Sequence, residues 1–590
     1  MKKIFTFLLI VALSTGVVLS DALPAGNYYA PNDPGDGSTF YISLTDAFTA
    51  INDNGIAGNI TLYINGDITQ TTNVGLINPS EYTITIRPDS DVDRTITFDQ
   101  ANDNAGPSGA LCIGIKSSRA WADLGTAQNI IIDGFAEGGS TRRLKIMTSD
   151  TQNTGNGPIV ILNDSKDITV RNTIIEHKGA TGGTSGYGIY IRCQTDRGVN
   201  TMPQNVTIEN NHITCKKNSA FQGIGTYANA APAITASGVV IKDNYIDART
   251  RGIFLNHVNS IEISGNEFHV VQTNASTLSS GIMGNGGLSG DIMVQGNNFA
   301  ELKTYNSTTG DYGMKGIIAS GGGTWYIDNN FFGGVDKSFG DGFCMLQTVR
   351  VGSTCVIRHN TFYMKSLTKK PVSNVEAPSA ADPSYCAINI AAGTPEISNN
   401  IFISAETEVP NFFIRGTNGG TSNHNIFYFD AANEKAFING TYATLANYQT
   451  GSGKDADSKF VNVEFFNAAT GDLRIAGASE ADGNLAVPRL AGVLKDILGT
   501  ERDETTYAGA HESVLPFLYT YVDQYQQEEI KIKQNYSGIE IELNGLSDIE
   551  LYNMNGVLLD KVRTDGVYSH ELGKGMFIIR INGQSTKFVR

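Results

Sequence analysis

The sequence predicts an all-β chain of stacked coils of short parallel strands, followed by a small separate β domain. Three observations carry this prediction: a repeated two-strand pattern in the middle, a composition rich in turn residues, and a change of period near residue 530. The chain has 590 residues, of which 65 are glycine and only 17% are charged. Abundant glycine with few charges favours many short strands joined by turns.

The repeat reads apolar-x-apolar-x-x-Asn-x-apolar and recurs between Val206 and Phe402. Its alternation places one face of each short strand in a core. Asn tolerates left-handed backbone angles and bonds its local backbone, so we expect it at the bend between two strands. Stacked repeats then align these side chains as a hydrogen-bonded ladder. The expected ladder residues are Asn211, Asn244, Asn266, Asn297, Asn330, Asn360 and Asn400. Ile168–Ile174 reads as the same unit one residue shorter, with Asn172 at the bend.

A second half-unit, a glycine followed by alternating apolar residues, lies between successive repeats. Its first residues are Gly188, Gly223, Gly252, Gly281 and Gly316. One rung of the coil is therefore predicted to hold three short strands. The ladder asparagines recur irregularly, and the extra residues fall after the third strand of each rung, where we expect loops.

The rungs resemble the right-handed parallel β-helix of the pectin-lyase-like superfamily. The resemblance implies a single-stranded right-handed parallel β-helix with an N-terminal helical cap. Ser43 as N-cap and Gly55 as the stop are expected to bound that helix. The far end, up to Glu512, is similar to the closing segment of secreted β-helix proteins.

Both ends of the chain carry export signals. A basic start, the apolar run Ile4–Leu19 and small residues up to Ala22 predict a cleaved signal peptide. From Ile530 the pattern alternates strictly, and Tyr552–Gly556 and Gly575–Arg580 resemble the C-terminal sorting domain of the type IX secretion system. This implies the secretion machinery as a partner, export across the outer membrane and a place on the outer cell surface. The alternative is an ordinary β-sandwich that binds another ligand.

The predicted organisation follows from these segments. It comprises a signal peptide (1–22), an N-terminal cap (23–58), the parallel β-helix (59–430), its last coil and cap (431–515), a linker (516–529) and a small C-terminal β-sandwich for sorting (530–590).

Charge and cysteine content limit the classes of partner and of site that the sequence allows. With 43 Lys and Arg against 59 Asp and Glu, the net charge is −16, which argues against a nucleic-acid partner. No later stretch is apolar enough to predict a transmembrane segment. Cys193 and Cys215 either form a disulfide between rungs or are buried thiols. Calcium is the one cofactor considered, at Asn32–Gly37, but a plain turn is favoured and no metal site is predicted.

Catalytic motifs are not evident. The motifs of polygalacturonase-like hydrolases and of pectate lyases do not occur. Trp325–Asp328 and Arg358–Asn360 are similar to lyase motifs, but both fall on the repeat and are interpreted as structural. Two readings stay open: a polysaccharide lyase or glycoside hydrolase, most plausibly cleaving a uronic-acid polymer by β-elimination, or a non-catalytic adhesin or scaffold.

One surface feature points to polysaccharide. If Ile189 and Ile191 face the core, Tyr190 faces outward, and Phe254 follows on a nearby rung. Aromatic faces stack on sugar rings, and arginine forks pair with carboxylate or sulfate. The candidate substrate-binding residues are Tyr190, Arg192, Arg249, Arg251, Phe254 and His257. The alternative is that the long loops fold over this apolar column and bury it.

Overall fold

The structure is a computed structural model of the whole chain. It describes residues 21–99, 110–116, 124–149, 157–178, 186–195, 200–215, 221–272, 279–304, 314–337, 346–366, 385–407, 410–416, 419–517, 531–534, 538–573, 575–581 and 584–589. The proposed signal peptide, most of the loops after the third strands, Cys344 and the linker therefore lie largely or wholly outside the described residues.

Three long parallel sheets form the main body, and the chain visits them in turn on every rung. This strand order confirms the predicted parallel β-helix with three strands per rung. Sheet 1 holds the glycine-led half-units, and sheets 2 and 3 hold the two halves of the Asn repeat. The strands of sheet 1 are Val74–Leu76, Leu111–Ile113, Ile159–Leu162, Tyr187–Cys193, Gln222–Ala228, Arg251–Asn256, Ser279–Gly286, Met314–Ala319, Leu346–Val351, Tyr385–Ile390, Asn411–Arg415 and Ala436–Asn439.

The other two sheets run beside it. Sheet 2 consists of Gly26–Ala30, Thr39–Phe40, Ile60–Ile64, Ile84–Pro88, Gln128–Asp133, Lys166–Arg171, Gln204–Glu209, Ala236–Lys242, Val258–Ser264, Leu288–Gln295, Gly322–Asp328, Thr354–Arg358, Glu396–Ser398 and Thr421–Asn423. Sheet 3 consists of Ile68–Gln70, Arg94–Phe98, Leu144–Thr148, Ile174–His177, His212–Cys215, Tyr245–Ala248, Glu267–Gln272, Asn298–Thr304, Phe331–Phe332, Val335–Lys337, Thr361–Met364, Ile401–Ser404, Ile426–Phe429 and Lys459–Phe460.

A ladder of buried amides follows the corner between sheets 2 and 3. Each ladder asparagine donates from Nδ2 to Oδ1 of the next one, from Asn211 through to Asn425, at 2.9–3.1 Å. The backbone N–H of each residue donates to the same oxygen. Asn425, which the repeat pattern did not single out, extends the ladder by one rung.

The bend itself differs from the prediction in one respect. The left-handed residue is the one before each ladder asparagine, such as Asn210 (φ 52°) and Asn329 (φ 55°). The ladder asparagine instead turns its amide into the corner, where it bonds its neighbours. The unit near Ile168 is also not shorter, because Thr173 takes the ladder position and donates from Oγ1 to Asn211 Oδ1 at 2.7 Å, while Asn172 is the left-handed residue.

The core is apolar along the whole coil. On sheet 3 the inward rings of Phe268, Phe299, Phe332, Phe362 and Phe402 stack in sequence with centroids 4.5–4.9 Å apart. This spacing matches that of neighbouring strands, so each ring covers the next. Cys193 and Cys215 also belong to this core, and burial raises the pKa of the Cys193 thiol to about 11.

A helix closes the N-terminal end of the coil. Helix α1 spans Leu44–Asn54, the Ser43 side chain accepts from the Asp46 N–H at 3.1 Å, and Gly55 ends it. Its apolar face, with Leu44 and Phe48, is fully buried in the coil core. The predicted cap helix and both of its boundaries are confirmed.

The C-terminal end is built in two parts. Helix α2, Leu445–Ser452, places Tyr448 in the coil core and so closes this end. The chain then folds back over the outer face of sheet 3, where Val463, Ile475 and Leu485 pack on Ile401 and its neighbours. This returning segment, residues 461–515, contains 3-10 turns at Ala468–Thr470, Gly477–Ala481 and Gly483–Leu485. It also contains the strand pairs Phe465–Asn467 with Asp472–Ile475 and Ala486–Pro488 with Thr505–Tyr507.

A buried arginine fastens the returning segment to the coil. Arg502 is fully buried and donates from Nη1 to Glu512 Oε2 at 2.9 Å. Its Nη2 donates to Asn329 Oδ1 at 2.9 Å, on the corner between sheets 2 and 3. His359, on the next rung, is also fully buried and approaches Asn399 at 3.0 Å. The Arg358–Asn360 motif is therefore packed inside this junction.

The C-terminal residues form one antiparallel sheet. Its strands are Lys531–Gln534, Gly538–Asn553, Leu558–Glu571, Met576–Ile581 and Gln584–Val589. Ile541, Leu551 and Ile579 belong to a hydrophobic core of its own. Across the described ranges, no helix is long and apolar enough to cross a membrane.

Candidate functional site

Sheet 1 brings four of the six sequence-predicted residues together on its outer face. Tyr190 and Arg192 lie on one strand, and Arg251 and Phe254 lie two rungs further along. The Arg192 guanidinium carbon lies 5.4 Å from the Tyr190 ring centroid. The corresponding distance from Arg251 to the Phe254 ring is 4.9 Å.

Two residues that the sequence analysis did not select complete this group. Tyr187 pairs in register with Gln222, which pairs with Arg251, so these side chains occupy one row across three strands. The rings of Tyr187 and Tyr190 stack with centroids 4.1 Å apart and planes only 6° apart. We call Tyr187, Tyr190, Arg192, Gln222, Arg251 and Phe254 the Arg251 cluster. Tyr187 escaped prediction because it precedes the glycine that marks the half-unit.

Arg251 has no acidic partner among the described residues. Its Nη1 makes a long contact of 3.4 Å with Gln222 Oε1, and its buried Nε has no hydrogen-bond partner in the described part of the chain. No carboxylate in the described part of the chain pairs with it. Burial lowers the pKa of the guanidinium, which remains charged because arginine is not deprotonated in proteins. A desolvated cation without a counter-charge is costly and marks a place where an anion would be stabilised.

The two phenols beside Arg251 remain protonated. Burial raises the pKa of both Tyr187 and Tyr190, and the rings are only 7% and 5% exposed. Neutral phenols offer O–H donors to an anion but are poor bases. The predicted aromatic column is thus largely covered. Ile115 and the partly buried Leu124 pack against it, in agreement with the alternative interpretation of this face.

Gly225 makes the tyrosine stack possible. It faces Tyr190 in the strand register, and a Cβ at this position would overlap the Tyr187 ring. The absence of a side chain lets the ring lie flat against the sheet and beside Tyr190. Glycine often occurs inside a strand where another group approaches the backbone closely.

The remaining two predicted residues lie elsewhere. Arg249 lies at the turn from sheet 3 to sheet 1, where it pairs with Asp247 and donates to the Cys215 carbonyl at 2.6 Å. His257 is a left-handed turn residue (φ 56°) at the corner between sheets 1 and 2, and burial lowers its pKa. Arg249 precedes the strand Arg251–Asn256 and His257 follows it, so these two residues lie at opposite ends of that strand.

The Arg251 cluster is suited to binding an acidic group. Its described ionisable side chains are two arginines and two protonated phenols, and a β-elimination also requires a base. Within the described ranges, no group of three or more His, Cys, Asp or Glu is placed to hold a metal ion. In the segment Asn32–Gly37, where a plain turn is favoured over a calcium site, Asp33 and Asp36 accept from the Gly35 and Ser38 backbone N–H at 2.8 and 2.9 Å.

Comparison with known proteins gives distant likenesses. No protein-family model and no curated protein matches the chain. Among solved structures, PfbA, a surface adhesin of Streptococcus pneumoniae, is 14% identical, with 65% of this chain and 82% of that chain covered and a TM-score of 0.23. A rhamnogalacturonan lyase is 10% identical, with 81% and 95% covered and a TM-score of 0.26. Sequence identities and TM-scores this low support no functional argument. The fold is therefore assigned from the order of the strands in the three parallel sheets.

Proposed function

We propose that this protein binds an acidic, uronic-acid-containing polysaccharide on the outer face of sheet 1. Arg251 supports this proposal, since it is a desolvated guanidinium with no described carboxylate partner. A carboxylate of the glycan would supply the missing counter-charge and accept two hydrogen bonds from the fork. The neighbouring phenols of Tyr187 and Tyr190 would donate to the same group or to a hydroxyl.

Binding without cleavage is the better-supported form of this function. β-Elimination needs an anion-neutralising group and a base, and the described cluster offers the first but not the second. Hydrolysis needs two carboxylates at a defined separation. Among the described residues beside Arg251, neither reaction has its full set of groups, so the adhesin-like alternative is favoured over the lyase.

We also propose export and surface attachment. Residues 1–22 would direct the chain out of the cytoplasm, and residues 530–590 would engage the type IX secretion machinery. Two features support this role: the motifs at Tyr552–Gly556 and Gly575–Arg580, and a C-terminal sheet that has its own core. Deleting residues 516–590 in a bacterium with this system should leave the protein inside the outer membrane. Surface labelling that is unchanged by the deletion would overturn this assignment.

The binding proposal is tested by Arg251→Met in the full chain. We expect binding to polygalacturonate, alginate or hyaluronan to fall at least about tenfold for whichever polymer binds. The free energy of unfolding should stay equal or rise, because an unpaired buried charge is removed. Arg249→Met is the matched control; it removes an arginine paired with Asp247 and should leave binding intact.

Two outcomes contradict the proposal: acidic glycans that bind Arg251→Met as well as the unchanged protein, or a panel in which no acidic glycan binds. The same mixtures are followed for unsaturated-uronate absorbance and new reducing ends. A rise in absorbance that Arg251→Met abolishes would restore the lyase interpretation at this site.

A further inference from the structure

A groove of about 600 Å³ lies on the outer face of sheet 3, on a different side of the coil from the Arg251 cluster. Its floor is formed by the strands Glu267–Gln272 and Asn298–Thr304. Its far wall is the returning segment, at Ala469–Arg474 and at Ile497–Leu498. The returning segment packs on Phe331 and comes close to Ala300 on the neighbouring strand, and the groove lies where this cover ends.

A break in strand register sets the floor of the groove. Glu267 pairs with Asn298, but His269 pairs with Glu301, so the later strand carries one extra residue. In regular pairing, Ala300 would face His269 and Glu301 would point into the core. The bulge instead brings the Glu301 carboxylate to 3.4 Å from His269 Nδ1. Bulges commonly redirect a side chain in this way beside functional sites.

Each carboxylate in the groove already has a cationic partner. Glu267 lies 2.7 Å from His269, Glu301 lies 2.5 Å from Lys303, and Asp472 lies 2.7 Å from Arg474. These contacts raise the pKa of His269 to about 9 and lower that of Glu301 to about 2. An acidic or basic ligand would have to displace an existing partner, whereas a hydroxyl can bond to a paired charge without doing so.

Two further features suit a sugar ring. Asn298 lines the groove, and its buried Oδ1 has no hydrogen-bond partner, so a hydroxyl donor from a ligand would satisfy it. Phe466 is 67% exposed, and its ring centroid lies 4.6 Å from the guanidinium of Arg474, which lines the groove. An exposed aromatic face next to fixed polar groups is the arrangement on which a sugar stacks.

We propose that this groove is a second glycan site, which takes an uncharged sugar unit. The Asn298 oxygen, the paired carboxylates and the lysine and arginine beside them bond its hydroxyls. The C–H face of the sugar stacks on the Phe466 ring. The site is independent of Arg251, so a polymer with both acidic and neutral units could occupy both sides of the coil.

The test uses the full chain with neutral oligosaccharides of glucose, mannose, galactose, xylose and rhamnose. We expect Phe466→Ala and Asn298→Ala each to weaken binding by about five- to tenfold. Phe40→Ala removes another exposed phenylalanine, far from the groove, and should leave binding unchanged. Arg251→Met should bind neutral sugars normally, which separates this proposal from the one on sheet 1.

The proposal is overturned if no neutral sugar in the panel binds, or if both groove variants bind like the unchanged protein. It is also overturned if Arg251→Met abolishes neutral binding, since one site would then serve both ligands. Phe466 is exposed, so its replacement should fold normally, and equal unfolding midpoints keep the comparison valid.

Discussion

Arg502 donates from Nη2 to Asn329 Oδ1 at 2.9 Å, joining two residues that lie 173 positions apart in the chain. Asn329 is a left-handed corner residue of the coil, and Arg502 belongs to the segment that folds back over sheet 3. The bond holds the far wall of the groove against the coil. Because Arg502 also pairs with Glu512 inside the junction, its removal leaves a buried carboxylate without a cation.

Arg502→Met is therefore expected to destabilise the returning segment by about 3–5 kcal/mol. The measurement is chemical unfolding of the full chain together with limited proteolysis between residues 461 and 515. Adding Glu512→Gln should recover part of the loss, because the orphaned charge is removed as well. An Arg502→Met variant that is as stable and as resistant to protease as the unchanged protein would contradict this role for Arg502.

Asn297→Ala should destabilise the coil by about 3 kcal/mol. Asn297 Oδ1 accepts from the backbone N–H and the Nδ2 of Asn266 at 2.9 and 3.0 Å, and both donors are buried. Unsatisfied buried donors cost about 1–3 kcal/mol each. The measurement is the free energy of unfolding, and Asn259→Ala, on an exposed position of a neighbouring strand, should change it by less than about 0.5 kcal/mol. Equal losses in both variants would argue against a ladder contribution.

Gly225→Ala should displace the Tyr187 ring and separate it from Tyr190. Overpacking of this kind costs about 1–3 kcal/mol, and it should also reduce acidic-glycan binding because the phenols move relative to Arg251. Near-ultraviolet circular dichroism reports the tyrosine stack directly. At Gly573 an added Cβ meets nothing within 4 Å, so Gly573→Ala is the control and should leave the spectrum unchanged. An unaltered spectrum in Gly225→Ala would disprove the steric argument.

The charge network of the groove should make stability depend on pH in two windows. The pKa of His269 is raised. Its contribution to the free energy of unfolding is therefore complete below about pH 6.5 and is lost as the pH rises through about 9. Glu301 has a lowered pKa, so its contribution is present above about 4.5 and is lost as the pH falls through about 2. Stability from this network should be greatest between about pH 4.5 and 6.5.

The unfolding free energy measured from pH 3 to pH 10 checks this dependence, with an alkaline loss on the order of 2 kcal/mol. His269→Gln should flatten the alkaline part of the curve and should also reduce the acidic part, because the hydrogen bond from His269 is the main cause of the lowered pKa of Glu301. A variant whose alkaline loss equals that of the unchanged protein would show that another group is responsible.

The sequence allowed much of the coil to be predicted because its signals are local. Alternation of period two marks each strand, and the recurring asparagine marks each corner between sheets 2 and 3. Ser43 and Gly55 bound a helix through contacts with their own neighbours. The same local logic misplaced the left-handed residue by one position, because a corner of two or three residues offers several turn-forming side chains.

The candidate sites were harder to predict. Alternation correctly indicated that Tyr190 and Phe254 face outward, but it could not show what covers them. The proximity of Tyr187 to Arg251 depends on strand register across three rungs. The sequence near Arg251 also does not indicate that, among the described residues, no carboxylate pairs with its guanidinium.

By itself, the sequence determined the repeating strands, the Asn corners, the N-terminal cap helix and the change to a separate β domain near residue 530. The tertiary structure alone decided that residues 461–515 return over sheet 3, that a bulge turns Glu301 toward His269, and that Arg251 is desolvated without a carboxylate partner among the described residues. The physical reason is the distance along the chain between the residues that interact. Backbone alternation, turns and caps arise between residues close in the chain, whereas register, coverage and charge pairing arise between segments that only the folded coil brings together.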